Sequence, residues 1–273
     1  MKKIIQWMLA AILICGTSVF TACTVDNADN PTVEPDLNLA ENLIGKWINM
    51  EDDGYPTPTN QKIVLSFLSP TKAQFSLSAY SPVTAGWVPH QDCDVVINGN
   101  HATVSTETFG MSYVCEYNIH SISDTEMDVD YMRSYSLNGR ILNQSPGVEH
   151  FLRMNNDYSQ VILGTWEGRS TGAVGSEFDD GEDHRWEYFD DGTFRYYRKV
   201  DGKWMLKDDE YANYFVDGIL LCTRWKNAGE GQEENREWWE IESIKDGVMK
   251  WKALRMREDG TTYTSTFEMI KVQ

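Results

Sequence analysis

From about residue 40 onward, apolar and polar positions alternate over short stretches that are broken by turn residues. Ile63, Leu65 and Phe67 alternate against Val64, Ser66 and Leu68, and Phe75, Leu77 and Ala79 against Ser76 and Ser78. Further on, Trp186 and Tyr188 lead into Asp190-Asp191-Gly192-Thr193, and Phe194 and Tyr196 follow. A period of two is the signature of a strand with one buried face. Asp-Gly and Asn-Gly pairs beginning at 98, 138, 191, 201, 217, 246 and 259 supply the positive φ that tight hairpins demand. No stretch carries a long helical period. The pattern predicts an all-β meander, and eight or so short strands in about 110 residues best hide their edges by closing into a barrel.

The pattern also repeats. Gly45-Lys46-Trp47 lies 119 residues before Gly164-Thr165-Trp166, and Ile97-Asn98-Gly99-Asn100 matches Val216-Asp217-Gly218-Ile219 at the same offset. The stretch from Ile119 matches that from Ile241, Asn138-Gly139 matches Asp259-Gly260, and Phe151 matches Phe267. The offset drifts only where loops absorb insertions. Two homologous units are expected, 40–155 and 158–273, each an antiparallel β-barrel.

The first residues read differently. Lys2 and Lys3 precede an apolar run from Ile4 to Ile14, and the small residues Gly16, Thr17 and Ser18 follow, the layout of a secretory signal peptide. The run is too short to span a bilayer, which needs ~20 residues. It ends in Phe20-Thr21-Ala22-Cys23, which resembles the lipobox of bacterial lipoproteins. That resemblance implies that residues 1–22 are removed and that Cys23 is lipidated. Cys15 is a poorer candidate because the bulky Ile14 precedes it. Residues 23–39 carry Pro31 and Pro35 with acidic residues and no aromatics, a composition expected to form a flexible tether. The implied address is the cell envelope, lipid-anchored to the outer membrane and facing either the periplasm or the surface.

Charge excludes one class of partner. Without Lys2 and Lys3 the chain holds 22 basic against 42 acidic residues, a balance that repels a phosphate backbone, so nucleic acid is not an expected partner. Cys93 and Cys115 fall on strands separated by a third, 101–106. They would stand about two strand spacings of ~4.8 Å apart, too far for a disulfide. With Cys222 they read as small buried hydrophobes.

An apolar pair before Gly-x-Trp, the Phe189-to-Phe194 hairpin and a late Ile-x-Ser-Ile strand together resemble the tandem lipocalin-like domains of bacterial envelope lipoproteins, within the calycin superfamily. The resemblance covers both units. It implies that Trp47 and Trp166 plug the closed ends of two barrels, each under a late cation. Arg153 is the candidate in the first unit, while the matching stretch of the second offers Met269 and Lys271.

Catalytic signals are absent from the sequence. The histidines at 90, 101, 120, 150 and 184 are scattered, and there is no H-E-x-x-H, nucleophile elbow, Cys-x-x-Cys or phosphate-cradling loop. The expectation is a non-enzyme with no cofactor. Glu177, Asp179, Asp180, Glu182 and Asp183 offer oxygen donors, but their spacing departs from calcium loops, so no metal is expected. Aromatics are the remaining lead. Trp239 shares a face with Ile241, and Trp251 with Met249 and Ala253, as core positions do. Trp238 shares its face with Glu240 and Glu242 and is expected to point outward. Trp186, Tyr188, Tyr196 and Trp238 are the candidate ligand-binding residues. The expected function is non-catalytic binding of a small apolar or glycan-derived ligand. The alternative is an interaction or scaffold module with filled barrels that serves another envelope protein.

Overall fold

The computed structural model describes residues 38–77, 80–81, 86–87, 91–108, 110–172, 181–207, 212–226 and 234–272. The signal peptide, Cys23, most of the tether and residues 173–180 of the acidic loop lie outside them. The described chain is all-β apart from the helix α1 (Leu39–Asn42) and a 3-10 turn at Thr59–Gln61.

The first half contributes β1 (Gly45–Asp52), β2 (Tyr55–Pro56), β3 (Ile63–Ser69), β4 (Lys72–Leu77), β5 (Tyr80–Ser81) and β6 (Gly86–Trp87). These are followed by β7 (Gln91–Asn98), β8 (His101–Thr108), β9 (Met111–Ile122), β10 (Glu126–Leu137) and β11 (Arg140–Met154). Strands β5 and β6 pair only with each other. The others form one antiparallel sheet in the order β11-β10-β9-β8-β7-β4-β3-β1-β2. Strand β11 returns to β1, Trp47 facing Arg153 and Ile48 facing Leu152, so eight strands close into a barrel.

The second half contributes β12 (Gly164–Ser170), β13 (His184–Tyr188), β14 (Phe194–Val200), β15 (Lys203–Leu206) and β16 (Asn213–Asp217). Then come β17 (Leu220–Lys226), β18 (Glu234–Lys245), β19 (Val248–Met256) and β20 (Thr262–Val272). Its antiparallel order is β15-β14-β13-β12-β20-β19-β18-β17-β16. This sheet curls until the start of β14 meets β16: Thr193 bridges Asn213, and the Tyr214 amide donates to the Gly192 carbonyl at 2.8 Å.

Turn chemistry drives these hairpins. Asn138, Asp201 and Asp246 sit at φ near +50°, each followed by a positive-φ glycine, the geometry of a two-residue turn that matches strand twist. The Asp-Gly-Thr turns at 191 and 259 are built alike: the Thr193 amide and hydroxyl donate to Asp191 Oδ1, and those of Thr261 to Asp259 Oδ1.

Each half buries the indole of its Gly-x-Trp. Trp47 and Trp166 are fully buried; Trp47 Nε1 donates to the Leu43 carbonyl at 2.8 Å and Trp166 Nε1 to the Ile162 carbonyl at 2.6 Å. The Arg153 guanidinium lies 4.2 Å over the Trp47 ring and donates to the Ile44 and Asn42 carbonyls. The second unit uses Lys271, whose Nζ is 5.1 Å from the Trp166 ring centroid. Gly45 and Gly164 permit these crossings: a Cβ at Gly45 would lie 2.8 Å from Arg153 Nη1, and one at Gly164 3.1 Å from Lys271 Cε. Arg153 and Lys271 are therefore the same position of the repeat. The same register makes Met269, and not Phe267, the counterpart of Phe151, because Lys46–Met154 and Trp47–Arg153 correspond to Thr165–Val272 and Trp166–Lys271.

Strand β8 separates β7 from β9, so Cys93 and Cys115 are not neighbours; they and Cys222 are free and buried.

The halves are joined by a third apolar cluster containing Ile48, Val64 and Met154 from one and Leu220 and Cys222 from the other, with Trp238 half-buried against it. This covering of β3 explains why Val64 and Ser66, on the face opposite Leu65, are buried as well. Around the cluster the 3-10 turn reaches across. Thr59 donates to Glu240 Oε1 at 2.8 Å and accepts from the Leu254 amide at 2.9 Å. Beside it Lys62 Nζ lies 3.2 Å from Glu240 Oε1, with side-chain exposures of only 2% and 5%. Burial lowers the Lys62 ammonium pKa, and the Glu240 carboxylate opposes that shift.

Removing one partner from a buried pair strands the other charge, at about 3–5 kcal/mol. Glu240→Ala is expected to lower stability in urea by that amount, and the double variant Lys62→Met/Glu240→Leu to recover most of it. An unchanged urea midpoint in Glu240→Ala would show that the pair carries no weight.

Candidate functional site

Because both barrels use the same strand pairings, their interiors can be compared position by position. Trp47 faces Leu65, and Leu65 faces Phe75; Trp166 faces Trp186, and Trp186 faces Tyr196. On the far side, Ile119, Val129 and Glu149 occupy one rung of the first barrel, and Ile241, Trp251 and Phe267 the same rung of the second. Thus Leu65 stands where the second barrel has Trp186, Val129 where it has Trp251, and Tyr117 where it has Trp239. Tyr131 against Ala253 and Asn49 against Gly168 go the other way. These exchanges give the second interior more rings and the first more polar groups.

That second interior is a ring stack. His184 stacks on Trp186 and Tyr196 at centroid distances of 5.5 and 6.0 Å, and Trp239 stacks on Trp251 at 5.4 Å. Phe267 presents its edge to Trp186 at 5.5 Å. His184 is fully buried, its Nδ1 3.0 Å from the Tyr196 hydroxyl. Burial pushes its pKa down to about 4 against the pull of Glu182 and Asp183, so the ring is neutral. Above the stack Arg255 pairs with Glu237 and lies 4.8 Å from the Trp239 ring.

The first interior is polar where the second is aromatic. Glu149, at the Phe267 position, is buried, 2.6 Å from Arg133 Nη2, and accepts from Asn49 Nδ2 at 3.2 Å. Asn49 is held in turn by the Ile63 amide, which donates to its Oδ1 at 2.7 Å. The Arg133 guanidinium lies 4.0 Å over the Tyr131 ring, and the Tyr131 hydroxyl donates to Asp52 at 3.0 Å. Gly147 faces Tyr131 across the sheet, and a Cβ there would come within 2.4 Å of that ring. Any other residue at 147 would push Tyr131 off Asp52. Tyr113 packs 5.7 Å from Phe75 and 5.0 Å from Tyr135.

Burial raises the Glu149 carboxyl, and Arg133 offsets part of that; burial likewise raises Asp52. Tyr113 and Tyr117 are pushed far up by burial and stay as hydroxyls. Burial opposes charge on Arg133, but Glu149 and the surrounding tyrosines hold the guanidinium protonated. Buried polar atoms without a hydrogen-bond partner occur in both interiors: Tyr117 Oη, Arg133 Nε and Nη2 (the latter ion-paired with Glu149) and Glu149 Oε2 in the first, and Tyr188 Oη, Trp251 Nε1 and Ser265 Oγ in the second. The Tyr117 hydroxyl lies toward the thiol of Cys115, which burial pushes up to about 11. Unmet buried groups are costly, at about 1–3 kcal/mol each.

The residues expected from sequence fall in two places. Trp186, Tyr188 and Tyr196 are buried in the ring stack of the second barrel. Trp238 does point away from the barrel interior but packs between the barrels, where Glu240 is also buried. Of the acidic loop, Glu182 lies 3.3 Å from Arg198 Nε, and Asp183 is paired with Arg169 and Lys199. Among the described residues no group of histidines, cysteines and carboxylates is placed to hold a metal. Arg133, Glu149, Asp52 and Tyr117 were missed. One signal was present: Arg133 interrupts the inward file Met127, Val129, Tyr131, and Glu149 the file ending in Phe151.

No family model matches the chain, and no curated protein matches it. Among solved structures it is similar to a double mutant of Transferrin Binding Protein B from Haemophilus parasuis, at 7% identity and a TM-score of 0.26, over 78% of this chain and 54% of that one. The chain thus spans about half the length of that protein. It is also similar to a protein with unknown function from the DUF3598 family of Nostoc punctiforme, at 9% identity and a TM-score of 0.25, over 85% of this chain and 97% of that one.

The buried imidazole gives a pH test. The His184 pKa of about 4 lies below the ordinary 6.5, so as pH falls the unfolded chain takes the proton first. Its neutral burial is harmless above pH 6.5 and increasingly destabilising down to pH 4, by at most about 3 kcal/mol. Urea unfolding of wild type and His184→Gln should show the wild-type advantage shrinking from pH 7 to pH 4.5. An advantage independent of pH would contradict a neutral, desolvated ring.

Proposed function

We propose that the chain is an envelope lipoprotein, anchored to the outer membrane through Cys23, that binds a small ligand without catalysis in the interior of its first barrel. The second barrel is its filled, rigid companion. One observation supports this most directly: on the same strand frame, the first interior has smaller side chains at Leu65 and Val129 beside a buried Arg133–Glu149 pair. The second has Trp186, Trp251, Trp239 and Phe267 at the corresponding rungs. Ligand sites are mostly apolar concavities with a few placed polar groups, and the first interior has that make-up. The units proposed are 40–155 and 158–273, preceded by the tether.

A scaffold reading, in which neither barrel holds a ligand and the surface engages another envelope protein, is favoured only by the filled second interior.

Native mass spectrometry of the full chain extracted in detergent is expected to show one small molecule retained per chain. Leu65→Trp, which gives the first barrel the side chain its twin carries, should abolish retention while the protein still melts cooperatively. Overpacking of this kind destabilises by about 1–3 kcal/mol. An adduct that survives Leu65→Trp would place the ligand elsewhere. Cys23→Ser should move the protein from the membrane to the soluble fraction, since stable attachment depends on acyl chains; retention in the membrane would refute the anchor.

A further inference from the structure

We propose that two copies of this chain associate about a two-fold axis through the overhanging part of β11, residues 140–148. The inference does not depend on a ligand in either barrel.

Unequal strand lengths create the surface. Strand β1 follows β11 from Met154 only as far as Glu149. One step further, the Asp53 amide donates to the Val148 carbonyl at 2.8 Å, and Asp53 Oδ1 accepts from the Val148 amide at 2.9 Å. From Arg140 to Gly147 the strand pairs with β10 on one side and, among the described residues, with no strand on the other. An edge of that length is a template for another strand. The matching overhang of β20 is shorter: the Thr171 amide donates to the Thr266 carbonyl, which leaves only Thr262, Tyr263, Thr264 and Ser265.

The outer file of the longer overhang is apolar. Its pairs Met132–Pro146 and Asp130–Val148 alternate with the inward pair Tyr131–Gly147, and a bulge beside Tyr135 and Ser136 leaves Leu142 as the extra residue. Ile141, Leu142 and Val148 are 57%, 50% and 49% exposed. With Leu152 they give β11 more exposed large apolar side chains than any other described strand. In the register that matches Arg153 to Lys271, Pro146 and Val148 stand where β20 has Thr264 and Thr266. The apolar edge therefore belongs to the first half alone.

Charge and symmetry name the occupant. Each chain carries a formal net charge of -18, so two copies repel one another unless the surfaces that meet are free of acids. No acidic residue occurs from Tyr131 to Val148, nor on the adjoining stretch of β9 from Met111 to Cys115. Antiparallel apposition also sets the two Arg140 side chains at opposite ends of the contact. The Val148 backbone groups face away from β10, and by the period of two those of Pro146 and Gln144 do so as well. Gln144 thus offers one N–H and one C=O to its twin across the axis, the exchange of an antiparallel hydrogen-bonded pair, with Leu142 of one copy beside Pro146 of the other. Pro146 has no N–H with which to extend the ladder, so the contact stays a short, closed, self-complementary pair and does not stack into a fibre.

The test is disulfide trapping in the full chain, extracted in detergent with micelles in excess over protein. Opposed residues of such a pair stand about 5.5 Å apart at Cα, inside the ~4.4–6.8 Å that a disulfide spans. Mild oxidation of Gln144→Cys is expected to give a homodimer, whereas Val96→Cys, at an exposed position of β7, is not; Cys93, Cys115 and Cys222 are buried. Adding Ile141→Lys and Val148→Lys to Gln144→Cys sets like charges against each other and should lower the trapped fraction at least about tenfold. Both positions are exposed in a single copy, so an unchanged melting temperature is expected, and Leu142→Gln provides a second, milder variant. Added salt should raise the trapped fraction, because it screens the repulsion between two acidic chains. No homodimer from Gln144→Cys, equal trapping by Val96→Cys, a trapped fraction that ignores the lysines, or a cross-linked product whose mass is not twice that of the chain would each overturn the proposal.

Discussion

A closed eight-stranded sheet fixes the space its inward side chains must fill, and nearly everything distinctive here follows from how the two halves meet that constraint. The frames correspond: each begins with Gly-x-Trp, each buries an indole bonded to a carbonyl four residues earlier, and each lays a late cation over that indole. With the frame held constant, the interiors diverge freely. One is packed with rings whose mutual contacts are worth about 0.5–1.5 kcal/mol per pair beyond their burial. The other keeps an Arg133–Glu149 pair and a tyrosine bound to Asp52.

The pairing also explains why polar groups are tolerated at depth. Glu149 alone in such surroundings would be protonated or expelled. Arg133 supplies the opposite charge, Asn49 a further donor, and the Ile63 amide fixes Asn49 in turn. Buried networks of this type are rigid when satisfied and exposed to loss when they are not.

Much of the fold was legible because its signals are local. Alternation at Ile63, Leu65 and Phe67, the Asp-Gly and Asn-Gly turns, and the recurrence of Gly-x-Trp each act within a few residues. Trp239 and Trp251 were placed in the core by the company they keep along their strands. The contact between the barrels was not legible for the same reason. Alternation assigns Ser66, Trp238 and Glu240 to a face that leaves the barrel, and it does leave, but into the other half of the molecule. The polar interior was hidden by composition. In a chain with 42 acidic residues one more glutamate attracts no notice, although Glu149 sits in phase with Phe151 and Arg133 with Tyr131. Trp186, Tyr188 and Tyr196, chosen for their ring content, lie within the buried cluster of the second half.

The Lys62–Glu240 pair carries one more consequence. Gene duplication ordinarily leaves two copies that can later part company, each folding alone. Here the ammonium belongs to one copy and the carboxylate to the other, so a separated half would have to hydrate a charge now shielded, along with the apolar patch around Val64 or Leu220. Parting the halves would therefore expose the ion pair and the apolar patch it borders together.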